Sequence, residues 1–331
     1  MGKTIKDIAK EANVSIATVS RVINNKYEGV GEETRERIKK IMKEMDYRPS
    51  GIARGLVTKK TYTLGLLVPD ISNPFFPDIV KGVEDKAREM GYNIILCNSD
   101  DNIEKEITSI RILKEKCVDG IVCIGANNED SKGIELLKEY NIPFVHIDRS
   151  SHAGCLSVYS DGGFGMYTMT KFLIEKGHKN IAYIKGSVGN ERLEGFLKAI
   201  GENGLTFDND LIYNGNYRLQ GGIDGAKYLL EKNKDFTAVI CENDLMAVGV
   251  IEYLEENNIK VPSDISVTGY DDIYISNIIT PKLTTIHQDT YGMGKISVEM
   301  LLKSIDGETL TKNEIILKPK LVVRKSVKSI L

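Results

Sequence analysis

Long apolar runs are missing from this sequence. No stretch of its 331 residues approaches the ~20 consecutive apolar positions that a bilayer-spanning helix needs. The start MGKTIKDIAKEA lacks the continuous apolar core of an export signal. A cytoplasmic protein with no membrane partner is therefore expected. Cysteine is sparse: Cys97, Cys117, Cys123, Cys155 and Cys241 form no CxxC pair, have no histidine at metal-ligand spacing, and are odd in number, which argues against a disulfide framework or a metal site. They read as packing residues or inert thiols. Nucleotide and nucleophile motifs are missing too. No Gly-x-Gly-x-x-Gly follows an apolar run, Gly292-Met293-Gly294 has no phosphate-binding turn before it, and neither GxxxxGK[ST] nor Gly-x-Ser-x-Gly occurs. The histidines (His146, His152, His178 and His287) are isolated, and His178 reads as a helix-end residue favoured by the dipole. Neither an enzyme nor a cofactor is expected.

What is present is ordinary globular composition, 41% hydrophobic and 27% charged, in a chain long enough for two or three packed domains. A net charge of -3 by itself argues against nucleic acid as a partner, but the total hides an asymmetry. Residues 1–60 hold 14 Lys+Arg against 8 Asp+Glu, and the remainder holds 30 against 39. The basic surplus sits at the N-terminus.

Within that basic segment, Ile5, Ile8, Ala9 and Ala12 recur at helical spacing, Asn13 suits a left-handed helix stop, and Ser15 suits the N-cap of the next helix. Two helices joined by a tight turn are predicted, with a third over about Glu32 to Met45. A helix, a tight turn and a second helix make the DNA-binding helix-turn-helix, whose second helix enters the major groove. Val19, Val22 and Ile23 form its apolar stripe. Ala17, Ser20, Arg21 and Asn24 face the other way, with Ile16 and Thr18 near the N-terminal end. Arginine can pair bidentately with guanine, and Ala or Ile can touch thymine methyls. Lys3, Lys6, Arg35, Lys39 and Lys40 would contact phosphate. The competing reading makes these a solvated face, with Ile16 packed as a staple.

After Tyr47, the stretch Arg48-Pro49-Ser50-Gly51-Ile52-Ala53-Arg54-Gly55-Leu56 is too short and glycine-rich for a stable isolated helix, and it reads as a hinge. From Thr63, apolar runs (Leu64 to Val68, Ile94 to Cys97, Gly120 to Ile124, Phe144 to Ile147, Ile181 to Ile184, Val239 to Cys241, Ile265 to Val267) alternate with helical patterns such as Ile79 to Met90, Gly163 to Glu175, Arg192 to Glu202, Gly222 to Glu231 and Met246 to Glu256. That alternation implies parallel sheets covered on both faces. It restarts near Asp161 after an irregular stretch, so two Rossmann-like lobes with a cleft between them are expected.

The run Thr4-Ile5-Lys6-Asp7-Ile8-Ala9 through Val14-Ser15-Ile16-Ala17-Thr18-Val19-Ser20-Arg21-Val22-Ile23-Asn24, then Tyr47-Arg48-Pro49 and Ala53-Arg54-Gly55-Leu56, closely resembles the lactose/galactose repressor (LacI/GalR) family of bacterial transcription regulators. The resemblance covers nearly the whole chain. It implies a small all-α helix-turn-helix head and an α/β core of two Rossmann-like lobes with the type I periplasmic-binding-protein architecture. The implied division is a head over 1–47, a hinge over 48–61 and a core over 62–331, its lobes spanning 62–160 with 290–320 and 161–289 with 321–331. DNA reading is implied for Ile16, Ala17 and Arg21, supported by Ser15, Thr18, Ser20 and Asn24, with further contacts from Thr4, Val30, Thr34, Tyr47, Ser50, Ala53 and Arg54. Leu56 would be an apolar wedge at the central minor-groove step, and Ile52 would pack against its counterpart in the second subunit. Gly51 and Gly31 depart from the family's usual Ala and Ser, and both should lower local helix stability. The pair Ile16-Ala17 looks more like the catabolite-control and ribose-type branches.

Ligands of doubly wound sheets bind beyond the carboxyl ends of the strands, and the residues there are unusually polar. Asp70-Ile71-Ser72-Asn73-Pro74-Phe75-Phe76, Asp148-Arg149, Asn243-Asp244, Asp271-Asp272 and Gln288 each follow an apolar run. Carboxylates, amides and arginine with two aromatics suit a polyhydroxylated ligand. Taken singly, Asp148-Arg149 could be an ion pair, Phe75-Phe76 core, and Asn243 or Asp244 a helix cap. The resemblance implies effector contacts from Asn73, Phe75, Phe76, Asp148, Arg149, Arg192, Asn243, Asp271 and Gln288. A pentose such as ribose is the expected effector, with a purine or a phosphoprotein coregulator as the alternatives within the family. A sugar-binding transport protein is the reading without DNA. The partners expected are an operator duplex and a second copy of the chain. The chain stops at Leu331 without a heptad segment, so a dimer is expected, in the cytoplasm and associated with the nucleoid.

Overall fold

The computed structural model describes residues 3–47, 60–125, 132–147, 155–187, 189–232 and 235–331, and the chain divides into two units, Met1–Tyr62 and Thr63–Leu331. In the first unit, helices α1 (Ile5–Glu11), α2 (Ile16–Ile23) and α3 (Glu32–Glu44) enclose a small core of Ile8, Ala9, Ala12, Val19, Val22, Ile38 and Ile41. The Asp7 carboxylate accepts both the backbone N–H and the hydroxyl of Thr4, each at 2.8 Å, which fixes the start of α1 and holds the Asp7 carboxyl below its ordinary range. Asn13 takes φ 52°, so the chain turns sharply, and the Ser15 hydroxyl accepts the Thr18 N–H at 3.1 Å to open α2. The turn predicted from Asn13 and Ser15 is the turn observed. Gly31 stands at the N-cap of α3, with no side-chain cap. Its cost is therefore a missing cap and not a glycine inside a helix, and an N-cap glycine costs only a few tenths of a kcal/mol relative to serine.

The second unit begins with β1 (Thr63–Val68), α4 (Phe76–Glu89), β2 (Asn93–Asn98), α5 (Ile103–Glu115), β3 (Gly120–Ile124), α6 (Lys132–Glu139), β4 (Phe144–Ile147) and β5 (Leu156–Ser160). The chain continues through α7 (Gly162–Glu175), β6 (Ile181–Lys185), α8 (Glu191–Glu202), β7 (Ile212–Asn214), α9 (Leu219–Glu231), β8 (Ala238–Cys241), α10 (Asp244–Glu256) and β9 (Ser266–Thr268). It returns through β10 (Thr285–His287), α11 (Thr290–Ile305), β11 (Glu314–Leu317) and β12 (Lys320–Val322). Every ladder in the six-stranded sheet β2-β1-β3-β4-β5-β11 is parallel, as is every ladder in the four-stranded sheet β7-β6-β8-β9. A short antiparallel pair, β10 with β12, joins the second sheet through bridges from Thr284 to Thr268 and from His287 to Asp271. All five residues of β3 are buried, as a parallel strand covered on both faces requires. The predicted head and two-sheet α/β core are both present.

Several elements do not follow from periodicity alone. The stretch before Asp161 that reads as irregular forms β5, and α5, α6, α11, β7 and β11 are also additions. The thiols are mixed: Cys123, Cys155 and Cys241 are buried, Cys97 is half-buried and Cys117 is exposed. His178 requires a correction. It is fully buried, its Nε2 donates to the Lys328 carbonyl at 3.1 Å, and its Nδ1 lies 2.8 Å from the Thr237 hydroxyl. Burial lowers its pKa, so it is a neutral tether of the C-terminal segment and not a cation answering a helix dipole.

Glycines let the covering helices approach closely. A Cβ on Gly82 of α4 would stand 2.2 Å from the Tyr291 carbonyl oxygen of α11, and one on Gly294 of α11 would stand 2.3 Å from the Ile79 carbonyl oxygen. The contact is therefore reciprocal, backbone on backbone. Gly201 in α8 has nothing within 4 Å of its Cβ position. Gly82→Ala should destabilise the core by about 1–3 kcal/mol through overpacking, whereas Gly201→Ala should stabilise it by up to ~1 kcal/mol through helix propensity. Urea denaturation of the two variants should give midpoints on opposite sides of wild type.

Candidate functional site

The first cluster of predicted residues lies on α2 and its flanks. Thr4, Ser15, Ile16, Ala17, Arg21 and Asn24 are exposed, while Thr18, Ser20, Val30, Thr34 and Tyr47 are half-buried. Ile16 is 44% exposed, so it is not a packed staple. The Arg21 guanidinium reaches the Glu28 carbonyl at 3.4 Å, and the Asn24 amide donates to the Ser20 carbonyl at 2.8 Å at the end of α2. Val30 and Tyr47 pack against the head's core, and burial raises the Tyr47 phenol pKa. Arg35 lies 3.1 Å from Glu32, Lys39 lies 3.1 Å from Glu36, and Lys40 lies 3.8 Å from Glu44. Surface pairs of this kind are worth ~0–1 kcal/mol, so these cations can be redirected to phosphates at small cost. Ser50, Ala53, Arg54 and Leu56, with Gly51 and Ile52, lie outside the described residues.

The second cluster forms at the carboxyl ends of the strands. Arg192, in the first turn of α8, sits over the Tyr270 ring at 4.0 Å and 3.7 Å from the Asp271 carboxylate, and its guanidinium also donates to the Glu242 carbonyl. The Gln288 amide donates to Asp271 Oδ1 at 2.7 Å. Asp271 has φ 110°, a backbone state that favours glycine and that other residues keep only when their surroundings enforce it. Three predicted residues, Arg192, Asp271 and Gln288, therefore converge after β9 and β10. Asn243 is a helix cap: its Oδ1 accepts the Met246 N–H at 2.9 Å and its Nδ2 donates to the Tyr217 carbonyl at 2.8 Å. Asn73 Oδ1 accepts the Phe75 N–H at 3.1 Å, and Phe75 and Phe76 meet edge to face at 5.2 Å, both buried. Asp148 and Arg149 lie outside the described residues.

Polar groups outside the predicted effector contacts are fixed beside this cluster. The buried Glu242 carboxylate accepts the Tyr183 hydroxyl at 2.7 Å, the Gly186 N–H at 2.7 Å and the Tyr217 hydroxyl at 3.2 Å. Burial, together with Glu242, keeps the Tyr183 phenol protonated far above its ordinary range. Asp244 lies one turn-start away and is also fully buried. Its oxygens accept the Thr285 hydroxyl at 2.5 Å, the Ser276 hydroxyl at 2.6 Å and the Ile273 N–H at 2.9 Å. Asp70 accepts from Ser72 and from Arg218; burial pushes its carboxyl up, but these hydrogen bonds outweigh that and hold it below its usual range. Among the described residues no group of three His, Cys, Asp or Glu could hold a metal ion, and no helix is long and apolar enough to cross a membrane. The arrangement offers donors and acceptors fixed beside the strand ends.

Known proteins similar to this chain match it in both of its units. A family model described as bacterial regulatory proteins, lacI family, matches residues 4–50, and one described as a periplasmic binding protein-like domain matches residues 170–327. The chain is 41% identical to the HTH-type transcriptional regulator RegA of Clostridium saccharobutylicum, over 98% of this chain and 99% of the relative. It is 36% identical to the HTH-type transcriptional repressor PurR of Photobacterium profundum, over 99% of each. Among solved structures, the lac repressor dimer bound to operator and the anti-inducer ONPF matches with a TM-score of 0.88 at 27% identity, covering 99% of this chain and 100% of that one. A regulator from Enterococcus faecium with bound ribose matches with a TM-score of 0.72 at 31% identity, covering 81% of this chain and 100% of that one.

Asp244 gives a pH test. Burial raises its carboxyl from 3.8 to about 7, against the opposing hydrogen bonds from Ser276, Thr285 and Ile273. Between those values the folded chain binds more protons than the unfolded one, so this group's contribution is complete below pH ~4 and is lost as pH rises through 7. Asp244→Asn does not titrate. The stability deficit of that variant, measured by urea denaturation, should be larger at pH 5 than at pH 8; a deficit constant with pH would show that folding does not raise the Asp244 pKa.

Proposed function

The chain belongs to the lacI family of bacterial regulatory proteins, and from that premise we propose that it is a repressor of carbohydrate-metabolism genes that binds a palindromic operator as a homodimer. Its effector in this reading is a pentose, with ribose foremost. The observation that carries the DNA side is the face of α2, where Ile16, Ala17 and Arg21 stand exposed on a helix whose opposite side, Val19 and Val22, is fixed in the head's core. The side chains that can read bases are thus held by a rigid scaffold, and weakly paired cations on α3 are available for phosphate. Residues 48–61 act as the hinge, with Leu56 as the minor-groove wedge.

The sugar assignment is supported by the Arg192, Asp271 and Gln288 group, which places a cation, a carboxylate and an amide side by side. Hydroxyls pair with all three, whereas an apolar ligand pairs with none. Asn73, Phe75, Phe76, Asp148, Arg149 and Asn243 complete the proposed contact set. The lobes, 62–160 with 290–320 and 161–289 with 321–331, close or reopen around the effector and change the spacing of the two hinges, which couples effector and operator affinity reciprocally. Similarity to the transcriptional repressor PurR over the full length supports a second reading, in which the same cleft takes a purine base. A phosphoprotein coregulator in place of a small effector is a third reading.

Binding to a palindromic operator should weaken with salt at a log–log slope of about -0.9 per phosphate neutralised. Arg21→Ala should cost ~1–3 kcal/mol on the preferred operator and relax base preference, and Lys6→Ala should weaken all sequences alike. A flat salt response removes the DNA claim. For the effector, D-ribose at saturating concentration should raise the melting temperature of wild type and leave Arg192→Ala unshifted. Stabilisation by a purine base with no response to any pentose would replace the sugar reading.

A further inference from the structure

We propose that Arg218 is a clamp between the two lobes, set by Glu242, that holds the cleft closed before any effector arrives. Arg218 lies between β7 and α9, at the carboxyl edge of the four-stranded sheet. Its guanidinium forks across to the other sheet: Nη1 is 2.6 Å from Asp70 Oδ2 and Nη2 is 2.9 Å from Asp101 Oδ2. Asp70 follows β1 and Asp101 follows the end of β2, and the two loops are joined by the Asp101 N–H donating to the Pro69 carbonyl at 3.0 Å. One planar cation thus binds two carboxylates on the facing lobe, the geometry for which arginine is better suited than lysine.

Both ends of this bridge are anchored. On the Asp70 side, Ser72 donates its N–H at 2.9 Å and its hydroxyl at 2.6 Å to Asp70 Oδ1, which leaves Oδ2 turned to the arginine. On the arginine side, the segment 215–218 is tied down at successive residues. The Gly215 N–H donates to the Lys185 carbonyl at 2.8 Å, the Tyr217 hydroxyl donates to Glu242, the Tyr217 carbonyl accepts from Asn243, and the Arg218 N–H donates to Asn216 Oδ1 at 3.0 Å. Gly186 makes room for this: a Cβ there would stand 1.9 Å from the Tyr217 ring. Glu242 therefore acts on the clamp through Tyr217, as a positioning residue.

The clamp is strong enough to bias the lobes and weak enough to release. The Arg218 side chain is 51% exposed and that of Asp101 43% exposed, while that of Asp70 is only 12% exposed. Water and salt reach the arginine and screen it. An effector entering between the strand ends has to compete with two charge-assisted hydrogen bonds, so the clamp lowers apparent affinity by the fraction of time it is shut. The inference requires two lobes around a cleft and no particular effector, so it survives if the pentose reading fails.

The test uses the full chain without ligand. Nitroxides are placed on the native, exposed Cys117 and on an introduced Lys227→Cys, in a Cys97→Ser background, with labelled chains diluted into unlabelled ones. Pulsed dipolar spectroscopy then reads the distance between lobes. Wild type at low salt should give one narrow distribution. Arg218→Ala should add a longer component, raising its population roughly fivefold, the change that ~1 kcal/mol produces. Wild type in 1 M NaCl should move the same way, and Arg218→Lys should lie between. Glu242→Gln should broaden the distribution with Arg218 intact, and the charge swap of Arg218→Asp with Asp70→Arg should restore the narrow one. Equal thermal midpoints for wild type and Arg218→Ala would separate the clamp from general stability. An Arg218→Ala distribution identical to wild type, with the fold intact, overturns the proposal.

Discussion

Neighbouring parallel strands are joined only through crossovers, so a connection between them leaves from the carboxyl edge and returns at the amino edge. The helices that cover the faces take the apolar side chains, and the polar side chains gather on the loops at the carboxyl edge. Asp70 and Asp101 stand at that edge of the six-stranded sheet, and Glu242, Asn243 and Asp271 stand at that edge of the other. Cleft chemistry in this protein is thus a consequence of strand direction. The two edges are joined by the Arg218 bridge, and what enters the cleft does so between groups that are already hydrogen-bonded.

Three carboxyls of one lobe meet burial differently. Glu242 accepts three hydrogen bonds from donors that carry no charge, and so fixes the end of β6 and the Tyr217 loop. Asp244 also receives three, yet its burial is complete enough that the proton is held up to about pH 7; its role is to fasten β10 and the 273–276 segment to α10. Asp271 keeps an arginine and an amide beside it on a strained backbone. The first two are scaffolding. The third lies beside both an arginine and an amide, and the Arg192 guanidinium is held over the Tyr270 face; it is the carboxyl on which the proposed effector contact rests.

Much of the fold was legible because the signals are local. Asn13 and Ser15 announced the turn between α1 and α2, and continuous apolar runs marked β1, β3 and β8. The missed elements escape for different physical reasons. β5 carries Ser157 and Ser160, both buried, so its pattern does not look apolar. α11 lies against α4 and the first sheet, with Met293, Val298, Met300, Leu301 and Leu302 all buried, and a helix enclosed on several sides shows little amphipathic period. α5 exposes Ile103 and Ile112, which blurs its stripe. The site was legible where a residue follows a strong strand, as with Asp271 and Gln288. Arg218 was not: a lone arginine in a polar loop looks solvated, and its partners are 148 and 117 positions away.

The opening contradiction in charge is resolved by the same physics of weak pairs. A chain with net charge -3 can still meet phosphate because its basic surplus is confined to residues 1–60, where Arg35, Lys39 and Lys40 pair with glutamates of their own helix and Arg35 and Lys39 also lie over the Tyr27 ring. Those pairs are exposed and break cheaply. In the Arg218 bridge the arginine and Asp101 are open to water while Asp70 is buried, whereas both side chains of the Arg324–Asp272 pair, which ties the C-terminal segment to the loop after β9, are only 16% exposed at 2.6 Å. A regulator has to keep two states close enough in free energy for a small ligand to choose between them, and solvent-screened ion pairs are the interactions whose strength falls in that range.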